Sequence, residues 1–508
     1  MAAVERPQSG SMPVENADKK DASLHVDENG DKLEIENGDG ELPSRLAPIE
    51  ALGIENWQAL EKKLVRRLDL TLMPCLWVLY IFNYLDRASI AQSRISSLDE
   101  DLGLEGSQFS VAVSILFVGY VLGQLPSNML LTVVRPSLYL PACAIVWSGV
   151  SAATAGVKSY EGLVAVRFVL GLVEAPLFPG AMYLMSCWYT RRELATRTAA
   201  LMTGLTLAQA FSGLIAAAVF ATLEQKHGLA GWQWLFIILA TVGAVIAVIC
   251  VFVLPDYPHS TTGSARWSMT EDMRRLAAAR IQADRVSDLE SNPGLMHGLK
   301  LSLMDYRTWI LVGISITISV AYGFSNFYPA IVRGFGYGRT YTLLLTAPPY
   351  VLAAIGGVIN SWHADRTNER GYHFSVPIAF GLAGYIICLG TSNRNARYGA
   401  SYLYVVGMFT AFPLLFSWTA MTLGRTPAKK ATSIAIVNLL GQIGNTIVPY
   451  FFLESDEPRY QLAFIMMMVF GALCIGLAML LKFCLHRANR KLLARAREEN
   501  SVYNPYTL

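Results

Sequence analysis

Long apolar runs separated by short polar gaps fill most of this chain. Runs of about 20 residues, long enough to cross a bilayer as a helix, recur twelve times. They lie near 70–93, 109–131, 138–157, 161–187, 196–223, 233–254, 307–331, 341–362, 374–391, 399–421, 431–453 and 461–485. A segment inside lipid must satisfy its own backbone N–H and C=O groups, so these runs predict helices. The expected fold class is an all-α integral membrane protein. A polar stretch, 255–306, divides the runs six and six. Within it "SMTEDMRRLAAARIQADRV" pairs Ser268 with Glu271 three residues on, a capping-box start, and predicts an amphipathic surface helix. The expected organisation is a tail over 1–56, a six-helix bundle over 57–254, the central loop, a second six-helix bundle over 307–485, and a tail over 486–508.

Composition sharpens this picture. Of 508 residues 53% are hydrophobic and 16% charged, with a mean hydropathy of +0.38; soluble proteins carry about 25% charged residues. Residues 1–50 hold twelve Asp or Glu against five Lys or Arg and no apolar core, which reads as a disordered, solvated tail without a signal peptide. The net charge of +3 is too small to suggest a nucleic-acid partner. The seven cysteines lie in or beside apolar runs, form no C-x-x-C pair, and read as small buried hydrophobes. Lys and Arg gather before the first run, in the central stretch and after Lys482. The positive-inside rule then places both termini in the cytoplasm, with the plasma membrane as the default location.

Short motifs follow one another in order: "NYLDR" at 83–87, "GQLPSN" at 123–128, "RFVLGLVEAPLFPGAMYLMSCWYTRRE" at 167–193, "GWQWLFI" at 231–237, "LPDYP" at 254–258, "GFSNFYPAIV" in the seventh run, "APPYVLAAIGG" in the eighth, "HADRTNERG" at 363–371, "GNTIVPY" at 444–450 and "DEPRY" at 456–460. This set resembles the anion:cation symporter branch of the major facilitator superfamily. More narrowly, it is similar to the fungal allantoate permease family, over about Trp57 to Arg490. The resemblance implies the major facilitator fold, with twelve helices in two six-helix bundles. It also implies proton-coupled uptake of a small organic anion, such as a vitamin or a nitrogen-source acid, by a monomer without cofactors. Departures from the family pattern (Ser89 and Ala91 after "NYLDR"; Gln233, Leu239 and Ala240 in the sixth run) bear on substrate and gating rather than fold.

Four charges sit inside the apolar runs: Asp86, Arg87, Arg167 and Glu174. A charge at the bilayer centre costs at least ~2.5–3.5 kcal/mol, so such residues are functional by default. At 1.5 Å per residue Asp86 stands ~24 Å above Leu70, level with Arg167 in a core ~30 Å thick, and Glu174 falls near the midplane. Arg167 and Glu174, two turns apart, share a face, whereas Asp86 and Arg87 point ~100° apart. On this reading Arg87 receives the substrate carboxylate through its fork of donors. Asp86 and Glu174 carry the coupling protons, since burial favours the neutral carboxyl. Arg167 pairs with Asp86 or Glu174; a permanent ion pair between the first and fourth spans is the structural alternative. The resemblance implies the same roles for these motif positions.

Further substrate contacts are expected from Asn83, from Tyr322 and Asn326 at i,i+4 where Gly323 and Pro329 break the helix, from Asn438 and Gln442 at i,i+4, and from the lone amide Gln209. Each could instead be an interhelical hydrogen bond. Asp365 and Arg366 in "WHADRTNERG" match the superfamily's gating loop, with a plain solvated loop as the alternative. His363 and Asp365 lack a third ligand at metal spacing. No nucleophile elbow, zincin helix, P-loop or dinucleotide fingerprint is present, so a non-enzymatic carrier driven by an ion or substrate gradient is expected. Two other readings remain open: a proton-coupled exporter of a secondary metabolite, and a nutrient sensor on a transporter fold.

Overall fold

The computed structural model describes residues 25–26, 32–33, 49, 52–54, 56–131, 134–258, 260, 265–286, 295–423, 427–498 and 506. The chain divides into two compact units, residues 1–42 with 486–506, and residues 43–485. The first contains a two-residue antiparallel ladder, β1 (His25–Val26) on β2 (Lys32–Leu33), and a reciprocal pair of hydrogen bonds between Asn489 and Tyr506. Most of the tail expected over 1–56 lies outside the described residues.

The second unit carries the membrane helices. In order these are α1 (Trp57–Ser93), α2 (Gln108–Leu131), α3 (Pro136–Thr154), α4 (Tyr160–Glu174) continued by α5 (Leu177–Trp188), α6 (Arg191–Leu223) and α7 (Gly231–Val253). The loop helices α8 (Glu271–Val286) and α9 (Leu295–Met304) follow. The second half has α10 (Tyr306–Ala321) continued by α11 (Tyr328–Arg333), α12 (Arg339–Thr367), α13 (Gly371–Gly390), α14 (Arg394–Thr422) and α15 (Pro427–Ile447); α16 (Gln461–Glu498) closes the series. Among the described residues eleven helical spans are long and apolar enough to cross a membrane, and α2 contributes a shorter apolar helix over Gln108–Gln124. The fold class is the expected one.

Three local expectations change. The fourth run is two helices, because Pro176 has no N–H to continue α4 and the helix stops at Glu174. The first helix begins at Trp57, well before the apolar run at 70. In the central loop α8 forms, but its cap is Thr270, whose hydroxyl accepts from the Met273 N–H at 3.4 Å; Ser268 does not start the helix. The expected break in the seventh run is present: a 3₁₀ turn, Gly323–Asn326, separates α10 from α11. Gly323 is needed there, since a Cβ would stand 2.4 Å from Val448.

Glycines also set the approach of α2 to α4. A Cβ on Gly171 would lie 2.0 Å from the Leu116 carbonyl oxygen, and one on Gly119 would lie 2.3 Å from that of Phe168. Small residues let membrane helices meet backbone to backbone. This contact seats the end of α4, and with it Glu174, inside the first bundle.

Helix α8 is strapped to the first half. Leu276 and Ala279 pack with Ile49 against Leu52, Trp57 and Leu60. Arg280, 1% exposed, pairs with Glu193 at 2.6 Å and Glu61 at 3.2 Å. Both acids keep some solvent, so Arg280→Ala is expected to cost about 1–3 kcal/mol. It should lower the Tm and speed proteolytic cleavage within the central loop; an unchanged cleavage rate would show that the strap is dispensable.

On the side away from Trp57, polar contacts join the halves. Arg94 pairs with Asp99 at 2.8 Å and with Glu457 at 3.0 Å. Arg339 donates to Ser96 at 2.6 Å and pairs with Glu224 at 2.5 Å, and Arg333 donates to the Ile95 carbonyl at 3.1 Å. Nearer the centre Ser110 and Ser114 donate to the carbonyls of Pro449 and Thr446.

Candidate functional site

Tyr80, Tyr84 and Arg87 fall at i, i+4 and i+7 on α1 and so share one face. That face opens on a central cavity of about 50 Å³. Both halves of the protein line it. Arg87 is the one charged residue on its described wall. The guanidinium lies over two phenol rings, 4.7 Å from the centre of Tyr120 and 5.1 Å from that of Tyr84. Behind it Nε donates to Glu174 Oε2 at 2.6 Å, and Glu174 is 0% exposed. The cation thus has one face toward the cavity and a buried counter-charge at its back.

The neighbouring charges are arranged separately. Asp86 points away from the cavity and accepts from the Ser151 hydroxyl at 3.0 Å. The ~100° turn between positions 86 and 87 sends the two side chains to different partners, as the helix geometry requires. Arg167 is 1% exposed, sits 5.8 Å over the Phe236 ring, and has no hydrogen-bond partner at Nε or Nη2 among the described residues. The expected pairing of Arg167 with Asp86 or Glu174 is therefore replaced. Arg87 takes Glu174 and Ser151 takes Asp86, while Arg167 acts on both carboxylates only through space.

Six of the expected substrate contacts, Arg87, Gln209, Tyr322, Asn326, Asn438 and Gln442, line this cavity. Asn83 does not. It is buried, 2% exposed, within hydrogen-bonding influence of Glu174 rather than on the cavity wall. The sequence reading missed Asn445, which donates to Gln442 Oε1 at 2.9 Å and to Tyr322 Oη at 3.3 Å. It lies seven residues after Asn438, on the same helical face, and that spacing was the available signal.

The reading also missed a chain of rings. Tyr84 meets Tyr80 at 4.9 Å, Tyr80 meets Phe178 at 6.0 Å, and Phe178 meets Phe416 of the other half at 5.8 Å. Phe416 continues to Phe412 at 5.6 Å, Phe412 to Tyr322 at 5.0 Å, and Tyr322 to Phe409 at 5.8 Å. All seven rings line the cavity.

The expected gating residues lie elsewhere, at the junction of α12 and α13. Asp365 pairs with Arg370, which also contacts the Met421 sulfur, and Arg366 lies over Trp362 at 5.6 Å. His363 faces His373, not Asp365, with ring nitrogens 2.6 Å apart.

A family model described as the Major Facilitator Superfamily matches residues 76–449. The chain belongs to the major facilitator superfamily. It is accordingly a multi-pass membrane transporter. Relatives include the MFS transporter prlL of Fungal sp. (strain NRRL 50135), 30% identical over 455 residues covering 87% of this chain and 89% of that one. Another, of Agrobacterium vitis, carries a provisional name as a tartrate transporter and is 29% identical over 77% of this chain and 87% of its own. Among solved structures a D-xylose-proton symporter superposes with a TM-score of 0.63, covering 80% of this chain and 96% of that chain at 14% identity. That likeness speaks to the shared fold alone.

Proposed function

We propose that this superfamily member is a proton-coupled symporter for uptake of a small organic anion, within the anion:cation symporter branch and akin to the fungal allantoate permeases. The observation that carries the reading is the placement of Arg87. It is the single cation among the described residues of the cavity wall, and its counter-ion is a fully buried glutamate. A substrate carboxylate that engages the guanidinium competes with Glu174 for it. Glu174, losing its partner inside a low-dielectric bundle, then takes up the coupling proton. Anion binding and proton binding become one event. Asp86 is the second proton carrier, and Arg167, near both acids, sets the balance between them. The Asp365–Arg370 pair holds the gating loop. The name of the Agrobacterium relative favours a carboxylate cargo. The protein works as a monomer in the plasma membrane with both termini cytoplasmic.

The test is uptake into proteoliposomes. Under an imposed inward proton gradient, labelled small carboxylates should accumulate. Glu174→Gln should keep carboxylate exchange yet lose accumulation. Normal accumulation by Glu174→Gln, or failure of every carboxylate to move, would remove the proposal.

A further inference from the structure

A second cleft, apart from the central cavity, carries charges that transport does not use. We infer that it binds an anionic phospholipid of the surrounding bilayer, one whose headgroup bears a phosphomonoester in addition to its phosphodiester.

Helix α1 starts at Trp57, so about 20 Å of it, at 1.5 Å per residue, precedes the apolar run at Leu70. Four exposed cations stand on this extension: Lys62, Lys63, Arg66 and Arg67. They form two i,i+4 pairs on neighbouring faces. Lys63 and Arg67 share a face with Leu70, which is 67% exposed at the start of a membrane span and so meets lipid. Lys62 and Arg66 share a face with Asp69. With Glu61, Val65 and Glu193 these three line an open cleft of about 420 Å³.

The three acids of the cleft are already engaged. Asp69 accepts from Arg197 at both oxygens, 2.7 Å each, and from the Tyr189 hydroxyl at 2.9 Å. Glu61 and Glu193 hold Arg280. None of the four cations has a side-chain ion pair or hydrogen bond with another described residue. Like charges at i,i+4 repel, and an anion between the members of each pair relieves that repulsion. Depth selects a lipid as the source of this anion. Arg67 and Lys62 lie ~4.5 and ~12 Å along the helix beyond Leu70. The headgroup layer, ~5–8 Å deep, begins at that level, and long cationic side chains reach along it. A lipid phosphodiester meets Lys63 and Arg67 on the bilayer-facing side, while the rest of the headgroup enters the cleft. There a phosphomonoester, with a charge of about −1.5 to −2, matches Lys62 and Arg66 together. The arginine forks suit phosphate oxygens. A soluble phosphate finds only the cleft pair, whereas a lipid engages all four cations.

The experiment is equilibrium binding of short-chain lipids to the full-length protein in detergent. Dioctanoyl phosphatidylinositol bisphosphate should bind at least tenfold more tightly than dioctanoyl phosphatidylserine, and dioctanoyl phosphatidylcholine more weakly still. The double variant Lys62→Gln with Arg66→Gln should lower affinity for the bisphosphate lipid at least tenfold and bring it to the level of phosphatidylserine. Lys63→Gln with Arg67→Gln should weaken both anionic lipids alike. The exchanged pair Lys62→Arg with Arg66→Lys should keep most of the binding. An unchanged Tm without lipid certifies that each variant is folded, since the four side chains have no partner to lose. Equal affinity for the bisphosphate lipid and phosphatidylserine, or full binding by the Lys62→Gln, Arg66→Gln protein, would overturn the phosphomonoester assignment. Inositol trisphosphate binding as tightly as the lipid would overturn the bilayer as the source. Neither result bears on the cargo of the central cavity.

Discussion

If the chain is the proposed anion symporter, Arg87→Ala is expected to lower carboxylate uptake roughly 100-fold or more. Loss of a charge-assisted hydrogen bond to substrate accounts for about 1.5–3 kcal/mol. The variant also strands Glu174, which is 0% exposed and has Arg87 as its ion-pair partner. Breaking one side of a buried pair costs about 3–5 kcal/mol unless the remaining group is neutralised. Two further variants separate binding from stability. Adding Glu174→Gln to Arg87→Ala should restore thermal stability without restoring uptake. Arg87→Lys keeps the charge but loses the fork and the flat surface that lies over Tyr84 and Tyr120, and should retain only about a tenth of the activity. Tm measured on the wild type, Arg87→Ala, Glu174→Gln and the double variant closes the cycle that gives the coupling energy of the pair. Full uptake by Arg87→Ala would mean that the pair only holds α1 to α4.

Gly171→Leu prevents the first bundle from assembling. The new Cβ would come within 2.0 Å of the Leu116 carbonyl oxygen, a backbone atom that no rotamer change can move aside. Overpacking costs about 1–3 kcal/mol where side chains can yield, and this site lies at or beyond the upper end. The expected readout is loss of a monodisperse peak in size-exclusion chromatography of detergent extracts. Glu174 lies one turn further along α4, so any protein that survives should also have lost its Arg87 contact and its uptake. Gly149→Ala is the control, since nothing lies within 4 Å of a Cβ there. It should extract normally. If Gly171→Leu behaves like that control, the helices have freedom to separate that the close approach denies.

The spans were legible because length and hydropathy in lipid admit few alternatives, and the motif order carried the superfamily. The break near Tyr322 was legible from Gly323 and Pro329; the one after Glu174 was not, although Pro176 marks it, because prolines within membrane helices as often bend as interrupt. The amides of the cavity showed themselves through i,i+4 spacing in an apolar setting. The rings did not, because aromatic residues make up 11% of the chain and nothing local distinguishes a lining ring from a packing one. Charge pairing was the least legible feature. Height along the helix axis placed Arg167 beside Asp86, but partners also depend on the azimuth of each helix and the reach of a long side chain. Arg87 had both in favour of Glu174, and that assignment left Arg167 Nε and Nη2 without a hydrogen-bond partner among the described residues.

The contacts that join the halves on the far side have a consequence for the speed of the transport cycle. Arg94–Glu457 and Arg339–Glu224 are part-exposed pairs, with side chains 17% and 39%, and 37% and 27%, accessible. Pairs of that kind are worth about 0–1 kcal/mol each and are screened by salt. A carrier must undo this seal on every turnover. A dry, apolar seam would hold one state so firmly that alternation stalled. A clasp made of ion pairs that water can replace keeps the two states within thermal reach of each other, with the ionic strength at that face setting part of the balance.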